Sequence, residues 1–278
     1  MAEKLQDIMK KGWSIWRKNL VLSVPFILSL VLIIILVIVF GIAIALLTFS
    51  GLADFSGMNI LNIVILALAT VLFIILISLI SSFFSAGAIG MSKKAIEQKK
   101  PNLDEMTDYG KRKFMDLFLA SLIIMVITLV SLILLAGVFI GIPLAFGFSP
   151  SDSIVSFIPM IVGAAISILV LIVIGLALAM VPYAVVISDL GPMEGVRKGA
   201  RFFLDNRLHT FLLWLIVMVI SIGSSAIFNV IQFIFEQIPL LGIILSITIT
   251  LISVAFSTVV LAPLSTVWYS HFYMDRVK

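Results

Sequence analysis

The sequence predicts an all-α integral membrane protein: six transmembrane helices, three cytoplasmic amphipathic interfacial helices and short external loops. Three observations predict it. Apolar residues make up 62% of the 278 positions and mean hydropathy is +1.30, well above the ~45–50% apolar content of soluble domains. Uncharged stretches run over 20–53, 55–92, 117–151, 153–188, 210–235 and 237–270, each longer than the ~20 residues needed to cross a ~30 Å hydrocarbon layer. All 18 Lys and Arg residues lie in alternate connections between these stretches, so positive-inside bias places both termini and two large loops in the cytoplasm of a cell-membrane protein.

The first basic segment carries Lys4, Lys10, Lys11, Arg17 and Lys18, with Leu5, Ile8, Met9, Gly12, Trp13 and Trp16 at helical spacing between them. It reads as an amphipathic helix lying in the headgroup boundary. The apolar run behind it is far longer than the ~7–15 residues of a cleavable signal core, so a signal peptide is not expected. After two spans joined through Asp54, a second basic segment holds Lys93, Lys94, Lys99, Lys100, Lys111, Arg112 and Lys113. Its apolar stripe is Leu103, Met106, Tyr109, Gly110, Phe114 and Leu117; Asn102 is placed to cap it, with Glu105 reaching back from the third position. Spans three and four are joined through Asp152 and lead to the third basic segment, with Arg197, Lys198, Arg201 and Arg207. There Pro192 suits the first helical position and Glu194 the first turn. Its stripe is Met193, Val196, Gly199, Ala200 and Phe203. Spans five and six, joined through Glu236, end in Arg276 and Lys278. Pro25, Pro182 and Pro263 stand near the basic ends of their spans, where kinks are expected.

Aligned on these segments, an acid, a glycine and an aromatic recur as Asp7/Gly12/Trp16, Glu105/Gly110/Phe114 and Glu194/Gly199/Phe203. Asn19 and Asn206 match three residues later, where Leu117 breaks the column. The chain therefore reads as one six-helix membrane domain, 1–278, with a helix-plus-hairpin repeat over 1–100, 101–190 and 191–278. Two spans per unit make the repeats parallel.

Chemistry is sparse. His209 and His271 are the two histidines, far apart in sequence, and no metal-ligand spacing accompanies them. The absence of cysteine removes thiolate catalysis, disulfides and Cys-based metal sites. No GxSxG is present, and no acid lies centrally in a span, where an ionisable group would flag function. An enzyme is not expected, nor a cofactor. The formal net charge of +4 is explained by leaflet placement, and nucleic-acid binding is not expected. Serines and threonines inside spans, such as Ser78, Ser81, Ser82, Ser85, Ser221, Ser224, Ser225 and Ser253, suit close helix packing and back-bonding to carbonyls.

The stretch 180–206, MVPYAVVISDLGPMEGVRKGARFFLDN, resembles a signature of uncharacterised six-span membrane families of archaea and bacteria. These are related to the membrane domain joined to some glycerophosphodiester phosphodiesterases. Pro182, Tyr183, Asp189, Gly191, Glu194, Gly199 and Asn206 carry the resemblance, and KKPNLDEMTDYGKRKF is similar to the corresponding connection after the second span. The resemblance implies a six-helix membrane domain. The phosphodiesterase domain has no counterpart here, and its activity is not carried over.

The expected role is therefore non-enzymatic: membrane-organising or lipid-interacting, with anionic lipid headgroups as partners. Headgroup contacts are assigned to Lys10, Lys11, Arg17, Lys18, Lys111, Arg112, Lys113, Arg197, Lys198 and Arg201, and interfacial anchoring to Trp13, Trp16, Phe114 and Phe203. The rival readings are a transporter or channel for a neutral or apolar solute, and a membrane anchor for a partner.

Overall fold

A computed structural model describes residues 3–49, 60–141, 154–238 and 241–277. The predicted connections through Asp54 and Asp152, together with Lys278, lie outside the described residues. Among the described residues every regular element is a helix, and six helical stretches are long and apolar enough to cross a membrane. The protein is thus a multi-pass membrane protein by the length and composition of its helices.

In chain order the elements are α1 (Leu5–Lys18), a tight 3₁₀ turn (Leu20–Ser23) and α2 (Val24–Phe49). Then come α3 (Ile60–Ile96) and α4 (Leu103–Ala136), which a π turn, Gly137–Gly141, prolongs. α5 (Ile154–Leu178), α6 (Val181–Ile187), α7 (Pro192–Asp205) and α8 (Arg207–Glu236) follow. α9 (Gly242–Phe256), a second π turn (Ser257–Leu261) and α10 (Ala262–Val277) complete the chain.

Proline explains three of the breaks. A proline has no N–H and its ring displaces the carbonyl four residues earlier. For Pro25 that carbonyl belongs to Val21, inside the 3₁₀ turn; for Pro182 it belongs to Leu178, where α5 stops; for Pro263 it belongs to Val259, inside the second π turn. The Val259 carbonyl, deprived of its helical donor, accepts a hydrogen bond from Ser23 Oγ at 2.7 Å. Ser23 Oγ in turn accepts from Trp16 Nε1 at 3.4 Å. A kink in the sixth span is thereby tied to the first two elements.

Asparagine explains two more. α1 ends at Asn19 and α7 at Asn206, both with non-helical backbones (φ −134° and −129°). Each amide donates back to the carbonyl four residues earlier: Asn19 Nδ2 to Ile15 O at 2.9 Å, Asn206 Nδ2 to Phe202 O at 3.1 Å. The second basic segment has Leu117 at this place, and there the helix does not stop. α4 runs unbroken from Leu103 through Leu117 to Ala136. Only two of the three expected separate helices are therefore separate; the second forms the opening turns of the third span. Asn102 Oδ1 accepts the Glu105 N–H at 2.9 Å, as a cap should. Glu105 does not reach back, however, and its Oε1 faces Lys94 Nζ at 4.0 Å.

The described residues fall into two compact units, Met1–Phe118 with Leu215–Lys278, and Leu119–Trp214. In the first unit α1, α3 and α10 pack together, and α2 packs on α3. The core there holds Leu22, Phe84, Met91, Ala95, Met106 and Val267, all at the basic ends of their helices. At the opposite end Gln232 Nε2 donates to Glu236 Oε1 (3.0 Å) and Ser246 Oγ (2.9 Å), pinning α8 to α9. In the second unit α7 packs on α5 and α6, and Met180, Val181, Ala184, Val185 and Val186 are buried between them. The middles of the spans stay exposed, with Ile38, Leu68, Val130, Leu169, Val219 and Leu251 all more than half uncovered or close to it. That is the surface a bilayer covers.

Candidate functional site

The basic ends of the helices concentrate charge, burial and close backbone approach, and the candidate site is built from them. Glycine makes the approach. A methyl added to Gly12 would collide with the Trp268 indole, one added to Gly110 with the Phe83 ring at 2.8 Å, and one added to Gly199 with the Val181 backbone at 2.8 Å. The three recurring glycines are thus contact points between a basic segment and a span. Trp268 Nε1 also donates to Met9 O at 3.1 Å.

The ten cations predicted to meet headgroups separate by environment. Lys10, Arg17, Lys18, Lys111, Arg112, Arg197 and Arg201 are exposed. Arg112 is exposed while its guanidinium stacks on Tyr109, 4.9 Å from the ring centre. Lys11 is exposed but bonded to Glu3, whose carboxylate holds the lysine above its ordinary pKa. Lys198 is half-buried and donates to Ser188 Oγ at 3.2 Å. Lys113 differs from all of these: it is 6% exposed and its ammonium donates to Asp116 at 3.1 Å.

The four aromatic anchors also divide. Trp13 is 46% exposed, whereas Trp16 is 8% exposed and spends its N–H on Ser23. Phe114 and Phe203 are half-buried, Phe114 lying 6.5 Å from the Phe83 ring. Trp16 and Phe114 therefore pack against protein. Helical periodicity places each on the apolar stripe of its own segment and does not distinguish a side chain facing lipid from one facing a neighbouring helix.

One feature of the site was missed by reading the sequence. α1, the end of α3 and α10 enclose a cleft of about 850 Å³ in the first unit. Its charged lining is Lys11, Lys18, Lys99, Lys100, Glu3 and Asp275, and His271 joins them. The Glu3 N–H donates to Asp275 Oδ2 at 2.9 Å, and Glu3 Oε2 lies 3.8 Å from His271 Nε2. These contacts join residues more than 260 positions apart, so no local pattern announces them.

Two connections share a backbone device. α3 ends with Gln98 at φ 60°, and α6 ends in a turn with Asp189 at φ 58°. In both, the next N–H closes back over five residues, Lys99 N to Lys94 O at 3.0 Å and Leu190 N to Val185 O at 3.1 Å. This is the left-handed helix stop that glycine usually occupies. A proline follows three residues later in each case, Pro101 and Pro192.

Comparison with known proteins adds family but not activity. A family described as "Domain of unknown function (DUF7847)" matches residues 4–275. An uncharacterized protein of Archaeoglobus fulgidus is 26% identical over 300 aligned positions, which cover all of this chain and 97% of the relative. No solved structure matches the chain.

Proposed function

We propose, for a chain that belongs to the DUF7847 family of unknown function, a non-enzymatic role in which basic helix ends engage anionic lipid headgroups on the cytoplasmic leaflet. The observation that carries this reading is the exposure of Lys10, Arg17 and Lys18 on α1, Lys111 and Arg112 in the opening turns of α4, and Arg197 and Arg201 on α7. A basic residue beside an anionic leaflet contributes ~1 kcal/mol. The kinship with membrane domains joined to glycerophosphodiester phosphodiesterases belongs to this proposal as architecture alone.

The test is thermal stability of the purified, delipidated full-length protein in neutral detergent. Phosphatidylglycerol is expected to raise the melting temperature more than phosphatidylcholine. The difference should shrink at about 1 M salt, where the Debye length falls to ~3 Å. Arg197→Gln with Arg201→Gln should reduce it, whereas Lys113→Gln should lower the melting temperature and leave the lipid response intact. An equal response to both lipids, indifferent to salt, sinks the reading.

The rival, a path for a neutral solute, draws on one observation. Ser221, Ser225 and Asn229 line a shallow depression of about 320 Å³ on α8, at the level of the apolar spans. Accessibility of cysteines placed there to a water-borne reagent is its test.

A further inference from the structure

The cleft between α1, α10 and the end of α3 has features of a site rather than of a surface. We infer that it binds one phosphate ester group, carried either on a lipid headgroup or on a soluble phosphoester. The inference rests on the headgroup reading above and narrows it to a single place.

Charge is the first support. Four lysines line the cleft against two acids, Glu3 and Asp275. Both acids are already engaged: Glu3 Oε1 with Lys11, and Asp275 Oδ2 with the Glu3 N–H at 2.9 Å and Arg276 Nε at 3.6 Å. Lys99 faces Glu97 at 3.4 Å. Lys18 and Lys100 carry no ion pair or side-chain hydrogen bond to any described residue, and both point charges line the cavity. A lysine ammonium is a strong phosphate partner of this point-charge kind.

Backbone conformation is the second, independent support. Gln98 occupies the left-handed position where glycine is the unstrained choice. Gln98 lines the same cleft, and its side chain makes no hydrogen bond to a described residue. The left-handed turn at Gln98 stops α3 and brings Gln98, Lys99 and Lys100 together on the cleft wall.

Depth is the third. The cleft opens where the first span begins at Leu20 and the second ends at Ile96. Ile15, Ala95, Ile96 and Met274 give it an apolar floor beneath the lysines. A headgroup phosphate with the start of its chains has this polarity profile.

The experiment is calorimetric titration of the full-length protein in neutral detergent. The probes are short-chain phosphatidylglycerol, phosphatidylcholine of equal chain length, and glycerol phosphate. Saturable binding of phosphatidylglycerol is expected. Lys18→Gln with Lys100→Gln should weaken it about thirtyfold, taking ~1 kcal/mol for each lysine and a tenfold change per 1.4 kcal/mol. Lys10→Gln with Lys111→Gln should weaken binding clearly less than the cleft pair, because neither lysine lines the cleft. Gln98→Gly should raise the ligand-free melting temperature and still weaken binding, a combination that a purely structural role for Gln98 would not give. Glycerol phosphate binding as tightly as the lipid supports the phosphate site and assigns it to a soluble ligand. Equal losses from the two lysine pairs overturn the site and leave the general headgroup reading standing. Unchanged affinity in both the cleft pair and Gln98→Gly overturns the site as well. Absence of any wild-type preference for phosphatidylglycerol over phosphatidylcholine overturns both.

Discussion

Glycine and lysine show how one residue type takes different roles in this chain. Gly199 sits against the Val181 backbone, while Gly175 has nothing within 4 Å of where a Cβ would stand. Gly199→Ala is therefore expected to destabilise by about 1–3 kcal/mol through overpacking. Gly175→Ala should be neutral or stabilising by about 0.5–1 kcal/mol, the helical advantage of alanine. Denaturation of the two variants in the same detergent measures the difference, and equal effects would contradict the packing described. Lysine divides similarly. Lys111 and Lys113 are two residues apart in one helix, yet the first is exposed and the second is 6% exposed against Asp116. Helical spacing places them on different faces; which face meets a neighbour depends on the partner helix.

At the scale of elements, the Asn column decides where basic helices stop. Asn19 and Asn206 each return an amide to the fourth carbonyl back and leave the helical conformation, and Leu117 continues it. Exchanging these residues tests the point. Leu117→Asn places an amide where the side chain is 3% exposed, and a buried polar group without a partner costs roughly 1–3 kcal/mol in addition to the lost packing. Asn206→Leu removes one 3.1 Å hydrogen bond, with an expected loss of about 1 kcal/mol. Circular dichroism with thermal melts reads both, and Leu117→Asn should be the more damaging. The recurring glycines each rest on a span. Gly110 lies on α3 and Gly199 on α6, each the last part of the hairpin before it. Gly12 lies on α10. Hydroxyls within the spans are mostly spent locally, as in Thr128 to Ile124 O at 2.9 Å and Thr248 to Ile244 O at 2.8 Å. This is the back-bonding that their spacing predicts.

For the whole molecule, the absence of cysteine makes orientation and hydration directly measurable. Single cysteines at Ser81, Ser85, Ser221, Ser224 and Ser253, in sealed vesicles, are expected to resist a membrane-impermeant thiol reagent. A cysteine at Lys99 should react from the cytoplasmic side. Reaction at mid-depth would move the functional reading to transport, and reaction of Lys99→Cys from outside would invert the proposed topology. The location of burial agrees with a division of labour along the helices. Core residues gather at the basic ends, where α1 and α7 supply interior surface, and the spans beyond present apolar side chains outward. Stability in water is then expected to fail where lipid or detergent is withdrawn, since those apolar middles have no protein cover.

The sequence by itself determined the number of spans, the one-sided distribution of Lys and Arg, the helix starts at Asn102 and Pro192, and the three proline breaks. Each of these depends on residues within a few turns of one another, through hydrophobic length, backbone hydrogen bonding or the missing proline N–H. Tertiary structure alone decided that Lys113 and Trp16 turn inward, that Ser23 answers the Val259 carbonyl, and that Glu3, His271 and Asp275 join Lys18 and Lys100 around one cleft. Those outcomes depend on which helix packs on which. Here the deciding contacts, such as Glu3 with Asp275 and Trp268 with Met9, connect opposite ends of the chain.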